Sequence, residues 1–313
     1  MIRSTAGRSD TAVGGVYAFV AYLLWGAFPL YFITLLPAGP WEVVAWRVLL
    51  ALLFCVLALT VTRGWRAIGR VVRQPRLLGW TAVAGVLIFV NWTVYLIATL
   101  TGHVIEASLG YFINPIVTVL LGVLVLHERL RVAQWIAIGV ALVAVVVIVV
   151  GYGQVPWIAL GLAFSFGLYG LAKNRVGPSV DALTGLTLET AWLAPVAAGM
   201  LVWVSATGGI TFGAYGAGHA VLLGSAGVIT AVPLLFFAAA TRRLPLSVLG
   251  LLQYLAPVLQ FAVGVGIRHE PLPTAELFGF VLVWIALIVL TVDGLRHQRG
   301  PSPVEESAES LAA

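Results

Sequence analysis

Ionisable side chains inside long apolar segments are the residues of this sequence best suited to do chemistry. Glu189 lies well inside the apolar segment 180–203. A charged group in hydrocarbon is costly, so its presence there marks a candidate functional site. We predict that Glu189 is either a protonatable coupling group or substrate-cation contact, or a structural acid that hydrogen-bonds to a neighbouring helix.

Glu42 and Arg47 share the apolar segment 41–62. On a helix they are separated by roughly 7.5 Å along the axis and by about 140° around it, so they occupy different faces. Glu42 is nearer the segment end, which favours a structural role. Arg47 either binds an anionic substrate or forms an ion pair with Glu42 by a bent path, and the ion pair is the simpler expectation.

Polar side chains recur at helical spacing in three other apolar segments and share one face within each segment. These candidate cavity residues are Asn91 and Tyr95, then Tyr111, Asn114 and Thr118, then Gln253 and Gln260. Stripes that converge are able to line a water-accessible substrate cavity. The alternative is that each residue only forms hydrogen bonds between neighbouring helices.

Pro115 and Pro257 lie inside apolar segments. Proline removes an intrahelical hydrogen bond and disturbs the preceding turn, so both are predicted to kink their helices. The kinks either expose backbone groups to a substrate or are inert.

The elements that carry these residues are predicted from composition. Hydrophobic residues make up 61% of the 313 residues and charged residues 9%, with a mean hydropathy of +1.05. So little polar surface indicates an integral membrane protein, and long apolar runs without alternation indicate helices. We predict an all-α integral membrane protein with ten transmembrane helices near residues 13–35, 41–62, 77–99, 107–126, 134–151, 156–172, 180–203, 218–240, 245–267 and 273–292.

The basic residues predict the orientation of these spans. Of the 17 Lys and Arg residues, all except Arg47 and Arg268 precede span one or follow an even-numbered span, which places these fifteen on one side. The positive-inside rule makes that side cytoplasmic, together with segment 1–12 and a tail at 293–313 expected to be disordered. The pI near 9.7 therefore follows from topology, and no nucleic-acid partner is expected.

A repeat indicates duplication of the membrane unit. Residues 115–130 return 142 positions later as 257–272, and the match extends back to Gly85 and Gly227. We predict two five-helix repeats, 13–151 and 152–292. His127-Glu128 then ends span four on the cytoplasmic side and His269-Glu270 ends span nine on the opposite side, so the repeats are inverted.

Several strings, in order and spacing, resemble the RarD branch of the EamA family in the drug/metabolite transporter superfamily: AYLLWGAFPLYF, NWTVYLIATLTGHVIEASLGYFINP, LHERL, GQVPWIALGLAFSFGLYGLAKN, GLTLET and RRLPLSVLGLLQYLAP. The resemblance spans nearly the whole chain. It implies ten helices in two inverted EamA-type repeats and movement of small solutes across the plasma membrane. RarD proteins are commonly described as chloramphenicol permeases, and the resemblance carries over no set of binding residues.

These features predict a multi-pass secondary transporter, in the exporter direction, of small metabolites or drug-like molecules by alternating access. The sequence contains no Walker-type G-x-x-x-x-G-K-[ST], no H-E-x-x-H and no G-x-S-x-G, so we expect no direct use of ATP, no catalytic site, no metal and no cofactor. The expected partners are a small-molecule substrate and the lipid bilayer, and Gly-rich helix faces permit a homodimer. The alternatives are a membrane-embedded enzyme and a non-transporting sensor or assembly subunit.

Overall fold

The computed structural model describes residues 5–126, 130–176, 180–241, 243–244, 249 and 252–297. Over these ranges the chain forms thirteen helices: α1 (Thr5–Gly26), α2 (Phe28–Ile33), α3 (Pro40–Val61), α4 (Trp65–Val72), α5 (Pro75–Thr101), α6 (Val104–Leu126), α7 (Val132–Tyr152), α8 (Trp157–Val176), α9 (Ala182–Thr207), α10 (Gly216–Gly224), α11 (Ala226–Thr241), α12 (Leu255–Gly266) and α13 (Thr274–His297). The predicted His127-Glu128 pair and most of the tail at 293–313 lie outside the described residues.

The prediction of an all-α membrane protein is confirmed for the described part of the chain. Eight segments there are long and apolar enough to cross a bilayer: 12–33, 40–61, 75–101, 104–125, 132–151, 182–207, 216–237 and 274–294. The spans predicted at 156–172 and 245–267 correspond to α8 and to the shorter apolar helix α12.

Local sequence sets the ends of these helices. Pro40 and Pro75 open α3 and α5, where proline loses no intrahelical bond. Gly102 ends α5 with φ 80°, a left-handed conformation that favours glycine. The Asp181 side chain accepts a hydrogen bond from the Thr184 backbone N–H and so caps α9. The ends of the long helices are therefore fixed by a few residues at the segment boundaries.

The first predicted span is divided into α1 and α2, which meet at Ala27. Pro29 lacks the N–H that would pair with the Trp25 carbonyl in a continuous helix. The Gln260 amide Nε2 donates to that carbonyl instead, over 3.1 Å. The break in the first span is therefore satisfied by a side chain from α12.

The second divided span is the predicted segment 218–240, which forms α10 and α11 on either side of Ser225. The Leu222 carbonyl accepts hydrogen bonds of 2.7 Å from the hydroxyls of Tyr31 and Ser225. Side-chain donors thus meet the carbonyl at this junction, and Tyr31 links it to α2.

Pro115 lies inside α6, as predicted. Pro257 lies in the first turn of α12, directly after a turn at residues 253 and 254 that follows the helical residue 252. The predicted span is thus interrupted just before Pro257, and the kink at this proline stays a prediction. The structure also places Pro195 inside α9 and Pro233 inside α11.

The bundle is built from close helix pairs. Helix α3 packs on α9, and α7 packs on α13; α5 contacts α8 and α9, while α11 contacts α1 and α3. A Cβ at Gly85 of α5 would lie 3.0 Å from the Glu189 carbonyl oxygen, and one at Gly227 of α11 would lie 2.8 Å from the Ala51 backbone nitrogen. These glycines let neighbouring backbones approach where larger residues would separate them.

Two carboxylates cap helices that are distant from them in sequence. Glu270 accepts hydrogen bonds of 2.9 Å from the backbone N–H groups of Val104 and Ile105 at the start of α6. Glu106, in the first turn of α6, accepts hydrogen bonds at the start of α8, of which the shorter is 3.0 Å from the Ile158 nitrogen. A helix N-terminus carries partial positive charge, so these carboxylates stabilise both ends.

Candidate functional site

Arg47 occupies the centre of the site. It lies on α3 with 3% of its surface exposed, and its Nε donates to the Thr230 hydroxyl of α11 over 2.9 Å. The guanidinium carbon lies 4.3 Å from the ring centroid of Trp92, 5.2 Å from that of Phe32 and 5.4 Å from that of Phe28. Three aromatic rings and one hydroxyl thus hold the cation through cation–π contacts and a hydrogen bond.

The predicted ion pair between Glu42 and Arg47 is wrong. The Glu42 carboxylate accepts hydrogen bonds from the Thr211 backbone N–H at 2.9 Å, the Thr211 hydroxyl at 2.9 Å and the Phe212 backbone N–H at 3.1 Å. The two side chains leave α3 on different faces, so Glu42 reaches the loop after α9 while Arg47 faces α11. Glu42 therefore has the structural role that its position near the segment end favours.

Replacement of Glu42 by Gln is expected to lower the free energy of unfolding by about 2 kcal/mol. The glutamine amide has one acceptor oxygen and no charge, so it cannot form all three hydrogen bonds of the Glu42 carboxylate. A hydrogen bond to a charged group contributes roughly 1.5 to 3 kcal/mol. Thermal unfolding of the purified protein measures the loss. Thr211→Val removes only one of the three bonds and serves as the milder control, and an unchanged melting temperature for Glu42→Gln contradicts the role.

The predicted residues Asn91, Tyr95 and Tyr111 meet beside Arg47. The Asn91 amide donates to the Leu162 carbonyl over 3.2 Å and to the Ser165 hydroxyl over 3.1 Å, while its oxygen accepts a 3.1 Å hydrogen bond from the Tyr111 hydroxyl. The Tyr95 and Tyr111 rings are 5.7 Å apart. Helices α5, α6 and α8 thus contribute one polar network.

Some buried polar atoms near Arg47 have no hydrogen-bond partner in the described structure: Nη1 of Arg47 itself and the hydroxyls of Tyr95 and Thr99. Oδ1 of Asn114 and Oε1 of Gln260 are also buried without a partner, but no hydrogen bond or ring contact among the residues that the structure describes joins them to Arg47. The Tyr95 hydroxyl lies beside that of Thr99 without a hydrogen bond of good geometry. Burying a polar group without a partner is costly, so free donors and acceptors around a buried cation are features of a binding site.

The other predicted cavity residues take no part in this polar network in the described structure. Asn114 is half-buried, and Thr118 is exposed and donates over 2.9 Å to the Asn114 carbonyl of its own helix. Gln260 is buried and contacts the Trp25 carbonyl, while Gln253 lies half-buried in the turn before α12. The structure therefore brings Asn91, Tyr95 and Tyr111 together near Arg47, and it places Asn114, Thr118 and the second-half glutamines against other groups.

Glu189 forms the second charged centre, on α9 with 1% of its surface exposed. Its carboxylate accepts a 2.7 Å hydrogen bond from Lys173 Nζ and a 3.1 Å bond from the Tyr169 hydroxyl, both on α8. The Lys173 side chain is 31% exposed. A partly exposed lysine thus connects a buried acid to the bundle surface, and it was missed in sequence because it sits in the last turn of α8, among residues that suit a cytoplasmic loop.

The two charged centres have matching positions. Arg47 and Glu189 are 142 residues apart, which is the offset of the sequence repeat. Their partners are related by nearly the same spacing. Phe28 and Phe32 contact Arg47, and the residues 141 positions later are Tyr169 and Lys173, which bind Glu189. One site carries a cation on aromatic rings, and the other an anion held by a lysine and a tyrosine.

The residues that the structure describes contain no candidate metal centre, because no group of three or more His, Cys, Asp or Glu side chains among them is able to hold a metal ion.

Comparison with known proteins agrees with this architecture. Residues 12–150 match the EamA-like transporter family. A protein RarD of Streptomyces exfoliatus is 48% identical, over 98% of this chain and 97% of its own length. The uncharacterized transporter YojE of Bacillus subtilis (strain 168) is 39% identical, over 93% and 98% respectively.

A solved crystal structure is 20% identical and covers 91% of this chain and 98% of its own, with a TM-score of 0.58, so the likeness concerns the fold alone. The helices and the family match define a multi-span membrane protein of the EamA transporter type. The chain belongs to the RarD branch of the EamA family, within the drug/metabolite transporter superfamily.

Proposed function

We propose that this chain is a secondary transporter of the plasma membrane that exports small metabolites or drug-like molecules by alternating access. In this mechanism, two five-helix halves, 13–151 and 152–292, move relative to each other about a central site and expose it to each side in turn. The observation that carries the proposal is the pair of matched charged centres, Arg47 in one half and Glu189 in the other.

The helix contacts support two related halves. Helices α3 and α9 hold equivalent places in the two repeats and pack on each other, as do α7 and α13. Gly85 and Gly227 are 142 residues apart, and each brings its helix against the helix that carries the charged centre of the other half. Exchange of contacts across a pseudo-two-fold axis is typical of inverted repeats. The basic residues support the inverted orientation with both termini in the cytoplasm.

Glu189 is proposed as the proton-coupling residue. In the described state its carboxylate is ion-paired with Lys173 and bound by Tyr169, and both partners are on α8. Protonation would neutralise the carboxylate, remove the ion pair and weaken the contact between α8 and α9. Lys173 is partly exposed in the last turn of α8, so water at this end of the bundle would reach one side of the pair. A proton would thereby change the relative stability of two helix arrangements.

The test is transport by purified protein in proteoliposomes, with a labelled panel that includes chloramphenicol and hippurate. We expect at least one compound to move faster than in empty vesicles, and an imposed pH gradient to accelerate it about tenfold. Glu189→Gln should remove the acceleration by the pH gradient, while transport of the compound down its own concentration gradient continues. Glu42→Gln, which changes another buried carboxylate, should retain it.

Two outcomes would contradict these proposals. If no compound of the panel moves above the rate in empty vesicles, the transporter proposal is wrong. If Glu189→Gln follows the pH gradient as the unmodified protein does, transport stands and the coupling role of Glu189 is wrong.

A further inference from the structure

We propose that Arg47 is the anchor for the carboxylate of an aromatic organic acid, so that the transported substrates include compounds with a flat apolar body and a single carboxylate. This inference rests on the proposed function, since it assigns a substrate class to the same central site. It is carried by a buried guanidinium that lacks both a counter-charge and a full set of hydrogen bonds.

The first argument is the state of the Arg47 cation. Arg131 pairs with Asp293 and Lys173 with Glu189, whereas Arg47 has no carboxylate partner in the described part of the chain. Its Nε donates to Thr230, whereas Nη1 is buried without a partner. A buried charge without counter-charge is strongly unfavourable, so a bound anion would supply what the protein lacks at this position.

The second argument is geometric. A guanidinium is a planar fork whose parallel N–H groups match the two oxygens of a carboxylate. Thr230 and the aromatic rings of Phe28, Phe32 and Trp92 restrain the Arg47 side chain, so less conformational entropy is lost on binding. The free Tyr95 hydroxyl is a further donor for the same anion, and both it and the Tyr111 hydroxyl lie within electrostatic range of Arg47.

The third argument concerns what surrounds the anion. The groups that bind Arg47 or lie within electrostatic range of it in the described structure are aromatic rings and hydroxyls: Phe28, Tyr31, Phe32, Trp92, Tyr95, Tyr111 and Thr230. One cation with no second Lys or Arg among these neighbours balances a monoanion better than a phosphate dianion. The rings of Tyr95, Tyr111 and Phe166 continue as a series of tilted and edge-to-face contacts, 5.7 and 6.1 Å between centroids, suited to an aromatic body.

Calorimetric titration of the purified full-length protein in detergent tests the inference directly. The probes are hippurate, an aromatic carboxylate, and hippuramide, its neutral amide of nearly equal shape. We expect hippurate to bind with a Kd at least tenfold lower than that of hippuramide at neutral pH. Arg47→Met should abolish the difference, and Arg47→Lys should retain part of it. Arg70→Gln, which removes an exposed arginine on α4, should leave both Kd values unchanged.

A second variant keeps the test decisive where Arg47→Met does not fold. Tyr95→Phe preserves the ring and removes only the unpaired hydroxyl, so it should weaken hippurate binding several-fold and leave hippuramide unchanged. Equal affinity for the two probes in the unmodified protein, or binding of neither, would overturn the inference. An Arg47→Met protein that folds and still prefers hippurate would overturn it as well.

The outcomes also separate this inference from the proposed function. If hippurate binds through Arg47 but no compound of the panel is transported, the carboxylate site stands and the transporter proposal fails. If neutral compounds are transported and Arg47→Met transports them as well as the unmodified protein does, the transporter proposal stands and the carboxylate site fails.

Discussion

Replacement of Lys173 by methionine is expected to lower the free energy of unfolding by about 3 kcal/mol. Methionine is unbranched and one atom shorter than lysine, so the substitution keeps most of the apolar side chain but removes the cation 2.7 Å from the Glu189 carboxylate. Glu189 is 1% exposed, so its charge would remain buried with the Tyr169 hydroxyl as its remaining donor in the described structure. Removal of one partner from a buried pair typically costs roughly 3 to 5 kcal/mol, because the other charge is left uncompensated. Because Lys173 is partly exposed, we expect a loss at the lower end of this energy range.

A double-mutant cycle provides the control for this prediction. Glu189→Gln removes the uncompensated charge, so the double variant Lys173→Met, Glu189→Gln should be more stable than Lys173→Met alone. Lys173→Arg retains the cation and should stay near the unmodified protein. The free energy of unfolding of each variant is measured in mixed micelles, with tryptophan fluorescence as the signal. Additive losses in the cycle would mean that the ion pair does not couple the two positions.

Gly227→Ala is expected to destabilise the protein by about 2 kcal/mol and to reduce transport sharply. A Cβ at this position would meet the Leu50 carbonyl and lie 2.8 Å from the Ala51 nitrogen on α3. These are backbone atoms, which cannot rotate away as a side chain does. The helices must therefore separate, and overpacking of this kind costs roughly 1 to 3 kcal/mol. The separation would also displace Thr230, which lies one turn further on α11 and orients Arg47.

Gly199→Ala is the matched control for Gly227→Ala. Gly199 lies inside α9 and is exposed, and a methyl group added there would meet no neighbouring atom within 4 Å. The helix preference of alanine over glycine should therefore raise stability by about 0.8 kcal/mol. Thermal unfolding, measured by tryptophan fluorescence, compares the stability of the two variants. Their transport of the labelled compounds is then measured in proteoliposomes. If both variants change stability in the same direction, the tight contact between α3 and α11 does not cause the effect of Gly227→Ala.

The sequence predicted the helical class and most span boundaries because these depend on local properties. Apolar length and composition distinguish a membrane helix from other structures, and glycine or proline marks many ends. Arg47 was a candidate from the sequence alone, since a lone cation in an apolar span is conspicuous. Its partner was not predictable, because the choice among Glu42, Thr230 and a ligand depends on which helix faces each side of α3.

The pairing of Gln260 with the Trp25 carbonyl illustrates a second limit. Pro29 in the sequence predicts an unpaired carbonyl four residues earlier, so the need for a donor was available from the sequence alone. The source of the donor was not, because α12 follows α1 by more than two hundred residues. Polar stripes within single helices likewise identified Asn91, Tyr95 and Tyr111 as candidates, but gave no means of telling that these three meet in one network and Gln253 does not join it.

The carboxylates of Glu270 and Glu106 hold the first turns of α6 and α8 to segments that are distant from them in sequence. Glu270 belongs to the segment before α13, yet two backbone amides of α6 are bound to its carboxylate. Any movement that draws these segments apart breaks both bonds at once, and the carboxylate and the amides must then be met by water. Separation of these segments and hydration of this end of the bundle would therefore be a single event.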